Sequence, residues 1–138
     1  MNQTNEILSE KIAAYFSSQK EVIAVYLYGS HAKGGVRPSS DLDVGILLDE
    51  KNLEVAIERR NHYMVELGRV LRKDIHPVIL NSASEELLRQ IFSKGTCILI
   101  NDARKLARYR MVMFARIADF GYYRDQMQAG FIRKVMEG

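Results

Sequence analysis

Apolar residues along this chain follow two patterns, one typical of helices and one typical of strands. Four segments place apolar residues every three or four positions and predict helices: Thr4 to Ser18, Asn52 to Lys73, a segment capped by Ser82 or Ser84 that runs to Lys94, and a segment capped by Asp102. Four short apolar runs predict strands: Val22–Tyr28, Leu42–Leu48, Ile75–Leu80 and Thr96–Ile100. The alternation predicts one mixed α/β domain.

Proline, glycine and serine residues, which interrupt or end helices and strands, add detail to this pattern. Pro77 interrupts the third predicted strand, which favours a position at the edge of the sheet or a bulge. Glycine, proline and serine within residues 31–40 predict a turn, and Gly121 predicts a break or kink in the last helix, which ends near Met136. We expect residues 1–138 to form a single domain, with a core over about 20–101 and a C-terminal helical segment over about 102–138.

Composition supports a folded protein and shows an uneven charge distribution. Hydrophobic residues make up 47% and charged residues 27% of the 138 residues, which excludes global disorder. The net charge is +3, yet residues 103–138 contain eight basic and three acidic residues and so carry +5. This basic segment predicts either an anionic partner or a solvated helix face.

The single cysteine and the absence of long apolar segments narrow the class of protein. Cys97 cannot form an internal disulfide or a cysteine-based zinc site, and its apolar neighbours predict a place in the core. No apolar stretch approaches 18 residues, and the first 20 residues do not resemble a signal peptide. We therefore expect a cytoplasmic protein without membrane association.

The candidate chemistry lies between the first two predicted strands. Gly29 and Ser30 follow one strand, where a glycine permits close backbone approach and amide and hydroxyl groups can hold phosphate oxygens. Asp41 and Asp43 begin the next strand and project from the same face, because residues two apart in a strand share a face. Paired carboxylates are ligands that Mg²⁺ prefers, and such a pair can hold two ions. The combination predicts phosphoryl or nucleotidyl transfer.

Each half of this motif alone is typical of an ordinary turn or a solvated strand start. Both halves at this fixed spacing arise by chance in roughly one chain per several hundred, given average residue usage. The spacing therefore favours the functional interpretation.

The pattern resembles the nucleotidyltransferases of the DNA polymerase β superfamily. Gly29-Ser30, ten residues and Asp41-x-Asp43, with Ala32-Lys33-Gly34, Arg37 and Ser40 between them, are similar to minimal nucleotidyltransferases, and within these to MntA-type antitoxins paired with HEPN toxins of the HepT type. The likeness continues through Asn81-Ser82-Ala83-Ser84, Gly95 and residues 115–123.

The resemblance implies the nucleotidyltransferase fold, a small mixed β-sheet covered by helices with a C-terminal helical segment. It also implies transfer of AMP from ATP, with two Mg²⁺ ions, to a tyrosine of a cognate HEPN ribonuclease toxin in a hetero-oligomer, with no direct nucleic-acid binding. By position, Asp41 and Asp43 bind the metals, and the nucleotide is held by Gly29, Ser30, Lys33, Arg37 and Ser40.

A third carboxylate is expected on a neighbouring strand, where it ligates a metal and helps deprotonate the attacking hydroxyl. Aligning on Leu80-Asn81 puts His76 at this position, whereas Asp74 lies two residues earlier on the same strand face. We predict Asp74 as the catalytic and metal-binding carboxylate, with His76 as the alternative base or ligand.

Two alternative functions stay open. The chain could neutralise its toxin by binding alone, or it could be a small-molecule adenylyltransferase of the aminoglycoside type.

Overall fold

The computed structural model describes residues 3–29 and 42–119. The helices are α1 (Gln3–Ser17), α2 (Leu53–Leu71), α3 (Glu85–Lys94) and α4 (103–119), and the strands are β1 (Val22–Tyr28), β2 (Leu42–Leu48), β3 (Ile75–Ile79) and β4 (Thr96–Ile100). The strands form one mixed sheet in the order β3-β2-β1-β4. β1 is antiparallel to β2 and β4, whereas β2 and β3 are parallel. This is an α+β fold consistent with a nucleotidyltransferase, as the sequence predicts.

Helix ends are fixed by local hydrogen bonds. The Asn52 side chain accepts hydrogen bonds from two backbone amides at the start of α2, and Ser84 accepts one from Leu87 at the start of α3. Asp102 Oδ1 accepts a hydrogen bond from the Lys105 amide at 3.0 Å and begins α4. α2 ends at Leu71, because the next residue, Arg72, has a left-handed φ of 54° that stops helical propagation.

The sheet is packed on both faces. On one face, α1 and α2 contribute Ile12, Phe16, Tyr63 and Leu67 to a fully buried cluster. On the other face, α3 and α4 contribute Leu88, Ile91, Leu106 and Met113. The alternation of side chains along β2 sends Val44 and Ile46 to the first cluster and Leu47 to the second. Residues of β2 that belong to the second face therefore point toward α3 and α4.

The strand predictions agree with the structure. β1, β2 and β4 have the predicted bounds, and β3 ends one residue early because Leu80 begins a 3₁₀ turn. Pro77 lies in the edge strand, as predicted. The predicted turn over residues 31–40 and the kink at Gly121 lie outside the described residues. The proposed division into a core and a C-terminal segment stays a prediction.

The burial prediction for Cys97 is wrong. Cys97 is only partly buried, because its strand is the other edge of the sheet, where its side chain packs against the second cluster. On α2, the apolar residues Leu53, Ile57 and Met64 are 56%, 37% and 42% exposed. The sheet therefore buries fewer of the apolar residues of α2 than their helical spacing suggests. No described helix is long and apolar enough to cross a membrane.

Candidate functional site

The candidate site begins at the end of β1, where the chain leaves the sheet through Gly29. Gly29 has a φ of +75°, a conformation that residues with a side chain rarely adopt. A Cβ atom at this position would overlap Asp43 Oδ2. The absence of a side chain at Gly29 therefore provides the space that the Asp43 carboxylate occupies.

Asp43 lies at the centre of a row of three residues across the sheet. It is paired with Tyr28 in the antiparallel ladder and with His76 in the parallel ladder. Register partners on neighbouring strands project from the same face, so the three side chains lie on the face that α3 and α4 cover. Asp43 is partly buried and His76 is exposed, so the row opens toward solvent on the β3 side.

Tyr28 is a member of this row that the sequence analysis did not identify. Its side chain is buried in the second cluster, and burial, followed by the nearby negative charge of Asp43, raises the pKa of Tyr28 to about 12. The phenol is therefore protonated at neutral pH. The sequence feature that could have identified Tyr28 as a site residue is its position immediately before Gly29.

The two candidates for the third site residue occupy different positions. His76 is the register partner of Asp43, whereas Asp74 lies two residues earlier, before β3 begins. Asp74 is exposed, and its backbone oxygen accepts a hydrogen bond from the Leu42 amide at 3.0 Å. The ladder between β2 and β3 thus reaches Asp74, while the residue brought alongside Asp43 is His76.

The described side chains at this site supply some, but not all, of the ligands that a divalent cation needs. Asp43 supplies a carboxylate, which packs against the backbone of Gly29, and His76 supplies an imidazole. Among residues 3–29 and 42–119, no group of three or more acidic, histidine or cysteine residues is close enough to hold a metal ion. The other predicted site residues, which are Ser30, Lys33, Arg37, Ser40 and Asp41, lie outside the described residues.

The basic residues of α4 fall into two groups. Three are engaged within the protein, since Lys105 pairs with Asp49, Arg110 donates to the Tyr26 hydroxyl and Arg116 pairs with Glu85. Arg104 and Arg108 are exposed and form no ion pair with any described residue. Beside them on the surface of α4, Met111 and Phe114 are 75% and 49% exposed.

Similar solved structures support the fold assignment. A chain in the crystal structure of a toxin-antitoxin with AMP-PNP has a TM-score of 0.69 and 23% identity, over 93% of this chain and 98% of that chain. A chain in the structure of the tri-AMPylated Shewanella oneidensis HEPN toxin in complex with MNT antitoxin has a TM-score of 0.65 and 21% identity, over 96% and 98%. A chain of an MntA-HepT toxin-antitoxin structure has a TM-score of 0.64 and 21% identity, over 95% and 98%. At these identities the likeness shows a shared fold.

Comparison with curated proteins gives no match. The family model described as polymerase beta, nucleotidyltransferase matches residues 10–104, more than half of the sequence. The site at Gly29 and Asp43 lies within this range, and the chain belongs to the polymerase β nucleotidyltransferase family.

Proposed function

We propose that this protein is an antitoxin that transfers AMP from ATP to a tyrosine of a cognate HEPN ribonuclease toxin and thereby neutralises it. The observation that carries the proposal is the packing of the Asp43 carboxylate into the space left by Gly29, at the point where β1 ends. A glycine beside a carboxylate at one end of a sheet suits a triphosphate and its metal. The toxin as acceptor is supported by the similar structures, which include a tri-AMPylated toxin complex.

The site residues take the following roles in this proposal. Gly29 and Ser30 hold the triphosphate, with Lys33, Arg37 and Ser40 completing the nucleotide site. Asp41, Asp43 and Asp74 bind two Mg²⁺ ions. When bound, these ions neutralise charge on the triphosphate and stabilise the leaving phosphate oxygen.

The reaction is a displacement at the α-phosphorus of ATP. The tyrosine oxygen of the toxin forms a bond to this phosphorus, and the bond to the oxygen bridging the α- and β-phosphates breaks, releasing pyrophosphate. The Asp74 carboxylate accepts the tyrosine proton, for which its exposed position before β3 is suitable. Tyr28 stays protonated beside Asp43 and bounds the site on its buried side.

The toxin-facing surface in this proposal is the outward face of α4, defined by Arg104, Arg108 and Met111, with Phe114, whose ring contacts Phe92 of α3, at its border. These side chains are exposed, and the two arginines have no ion pair with the described residues. Cations beside apolar side chains suit a partner surface that is acidic and apolar, and exposed charges accelerate association in a salt-dependent manner.

The decisive experiment combines the protein with its toxin, ATP and Mg²⁺, separates the two chains and measures the intact mass and ribonuclease activity of the toxin. We expect the wild-type reaction to leave an inactive toxin that is heavier by one or more AMP units. Asp43→Asn is expected to bind the toxin yet leave it unmodified, because asparagine keeps the size of the side chain and removes the negative charge that an Mg²⁺ ligand supplies. Recovery of unmodified, fully active toxin from the wild-type complex would instead mean neutralisation by binding alone.

The α4 surface is tested separately by association kinetics. Arg104→Glu with Arg108→Glu is expected to slow association with the toxin and to change its salt dependence. The matched control is the double variant Lys51→Glu and Arg69→Glu, which makes the same change in charge. Both residues are exposed; Lys51 lies just before α2 and Arg69 lies within α2, which covers the other face of the sheet. Equal slowing by both pairs would argue against α4 as the toxin-facing surface.

A further inference from the structure

Asn81 joins the two parallel strands of the sheet at the end of β2 that is far from Gly29. Its side-chain Oδ1 accepts a hydrogen bond from the Leu48 amide at 3.0 Å, and its Nδ2 donates one to the Leu48 carbonyl at 2.7 Å. Leu48 is the last residue of β2, whereas Asn81 follows β3 in the 3₁₀ turn. One side-chain amide therefore binds both polar backbone groups of Leu48.

This side chain continues the ladder between β2 and β3 beyond the point where the backbone of β3 turns away. The ladder pairs residues at a constant offset of 33 positions, as in Asp43 with His76, and Leu48 and Asn81 have the same offset. The amides of alternate residues in a strand point to the same neighbouring strand, so the Leu48 amide points toward β3 like the Leu42 amide. The Asn81 amide takes the place of a backbone peptide group of β3.

A shift of β3 by two residues would keep its side chains on the same faces but would break this contact. Asn81 would then lie beyond the end of β2, and Leu48 would lose both hydrogen bonds. The same shift would move the fully buried Leu80 away from Gly45, where an added Cβ would lie 2.9 Å from Leu80 Cδ2. The Asn81 hydrogen bonds and the packing of Leu80 on Gly45 therefore both favour the observed register.

We propose that Asn81 is a positioning residue for the transfer reaction, because it sets the register of β3 and thereby fixes the position of Asp74 relative to Asp43. This inference rests on the proposed function, in which Asp74 accepts the tyrosine proton. Asn81 lies at the other end of β3 from Asp74, so it acts on the reaction through the strand.

The register is measured by disulfide trapping in a Cys97→Ser background, without toxin or ATP. Asp43→Cys with His76→Cys places the two thiols on register partners, whose Cα atoms are roughly 4.8 Å apart and can form a disulfide. Asp43→Cys with Asp74→Cys separates the Cα atoms by about 8 Å, which is too far until β3 shifts. We expect Asn81→Ala to raise the oxidation rate of the second pair relative to the first by at least about fivefold.

The matched control is Asn101→Ala. The Asn101 Nδ2 also donates to backbone oxygens, those of Phe16 at 3.1 Å and Val22 at 3.0 Å, but these lie on α1 and β1. We expect this variant to lose stability while its ratio of trapping rates stays that of the wild type. An equal rise of the ratio in Asn101→Ala and Asn81→Ala would reflect general loosening and would overturn the inference.

Asn81→Asp is the second variant, in case Asn81→Ala does not fold. It keeps the size of the side chain and the acceptor for the Leu48 amide but removes the donor to the Leu48 carbonyl. We expect the trapping ratio to rise in this variant too. An unchanged ratio in whichever Asn81 variant folds would overturn the inference.

The kinetics of AMP transfer connect the register to the reaction. In folded Asn81→Ala we expect kcat to fall about tenfold while the KM for ATP changes less than about twofold, because Asp74 is displaced and Gly29 is not. A wild-type kcat in a variant with a shifted register would overturn the positioning role. If the wild-type protein modifies no toxin, the proposed function fails, and the trapping ratio still decides whether Asn81 sets the register.

Discussion

Replacing Gly29 with alanine perturbs the backbone and the Asp43 carboxylate together. The φ of +75° costs a residue with a Cβ about 1–2 kcal/mol relative to glycine. The new Cβ also overlaps Asp43 Oδ2, and moving that side chain away from a preferred rotamer costs about 0.5–1.5 kcal/mol more. We therefore expect Gly29→Ala to lower the free energy of unfolding through two separable contributions.

A double-mutant cycle measured by urea denaturation separates these contributions. Asp43→Ala removes the carboxylate, so in that background Gly29→Ala keeps the backbone cost and loses the steric cost. The expected coupling energy between the two positions is about 0.5–1.5 kcal/mol, and AMP transfer by Gly29→Ala alone is expected to fall because Asp43 is displaced.

Gly68→Ala is the matched control. Gly68 lies within α2, has no left-handed φ, and a Cβ there would approach Lys73 O at 3.2 Å and no part of Asp43. We expect its effect on stability to be the same in the presence and absence of the Asp43 carboxylate. An equal cost of Gly29→Ala in both backgrounds would refute the steric argument and leave only the backbone contribution.

Two further predictions concern other residues. At saturating Mg²⁺, we expect Asp74→Ala to reduce the rate of AMP transfer more than His76→Ala does, because a carboxylate suits both metal binding and proton abstraction. Equal rates for wild type and Asp74→Ala, together with an inactive His76→Ala, would reverse the assignment. In urea denaturation, Tyr63→Phe is expected to cost about 1.5–3 kcal/mol, because the buried Tyr63 hydroxyl donates to the Glu21 carboxylate. Tyr15→Phe should cost less, since the Tyr15 hydroxyl lies near the Glu66 carboxylate but makes no hydrogen bond of normal geometry with the described residues. Similar losses for both tyrosines would contradict this distinction.

Much of the local structure was predictable because its causes are local. The apolar runs that form β1, β2 and β4 are bounded by turn or capping residues, and Ser84 and Asp102 cap their helices through their own side chains. Pro77 lacks an amide hydrogen, so its place in an edge strand also followed from its chemistry.

Burial was less predictable, because it depends on how far neighbouring elements reach. Leu53 and Met64 have the same helical spacing as Tyr63 and Leu67, yet they lie partly exposed while the latter two are fully buried. The periodicity identifies the side of α2 that is apolar, but the width of the sheet decides how much of that side is covered.

The sequence by itself determined the elements, the α+β class and the resemblance of the motif around Gly29 and Asp43 to nucleotidyltransferases. Only the tertiary structure decided which side chains meet, because strand register depends on long-range packing between elements far apart in sequence. The parallel ladder pairs Asp43 with His76 across 32 intervening residues, and the antiparallel ladder adds the buried Tyr28 on the other side. A shift of that parallel ladder by two residues would keep every side chain on its face and place Asp74 beside Asp43 instead, and no local pattern distinguishes these two registers.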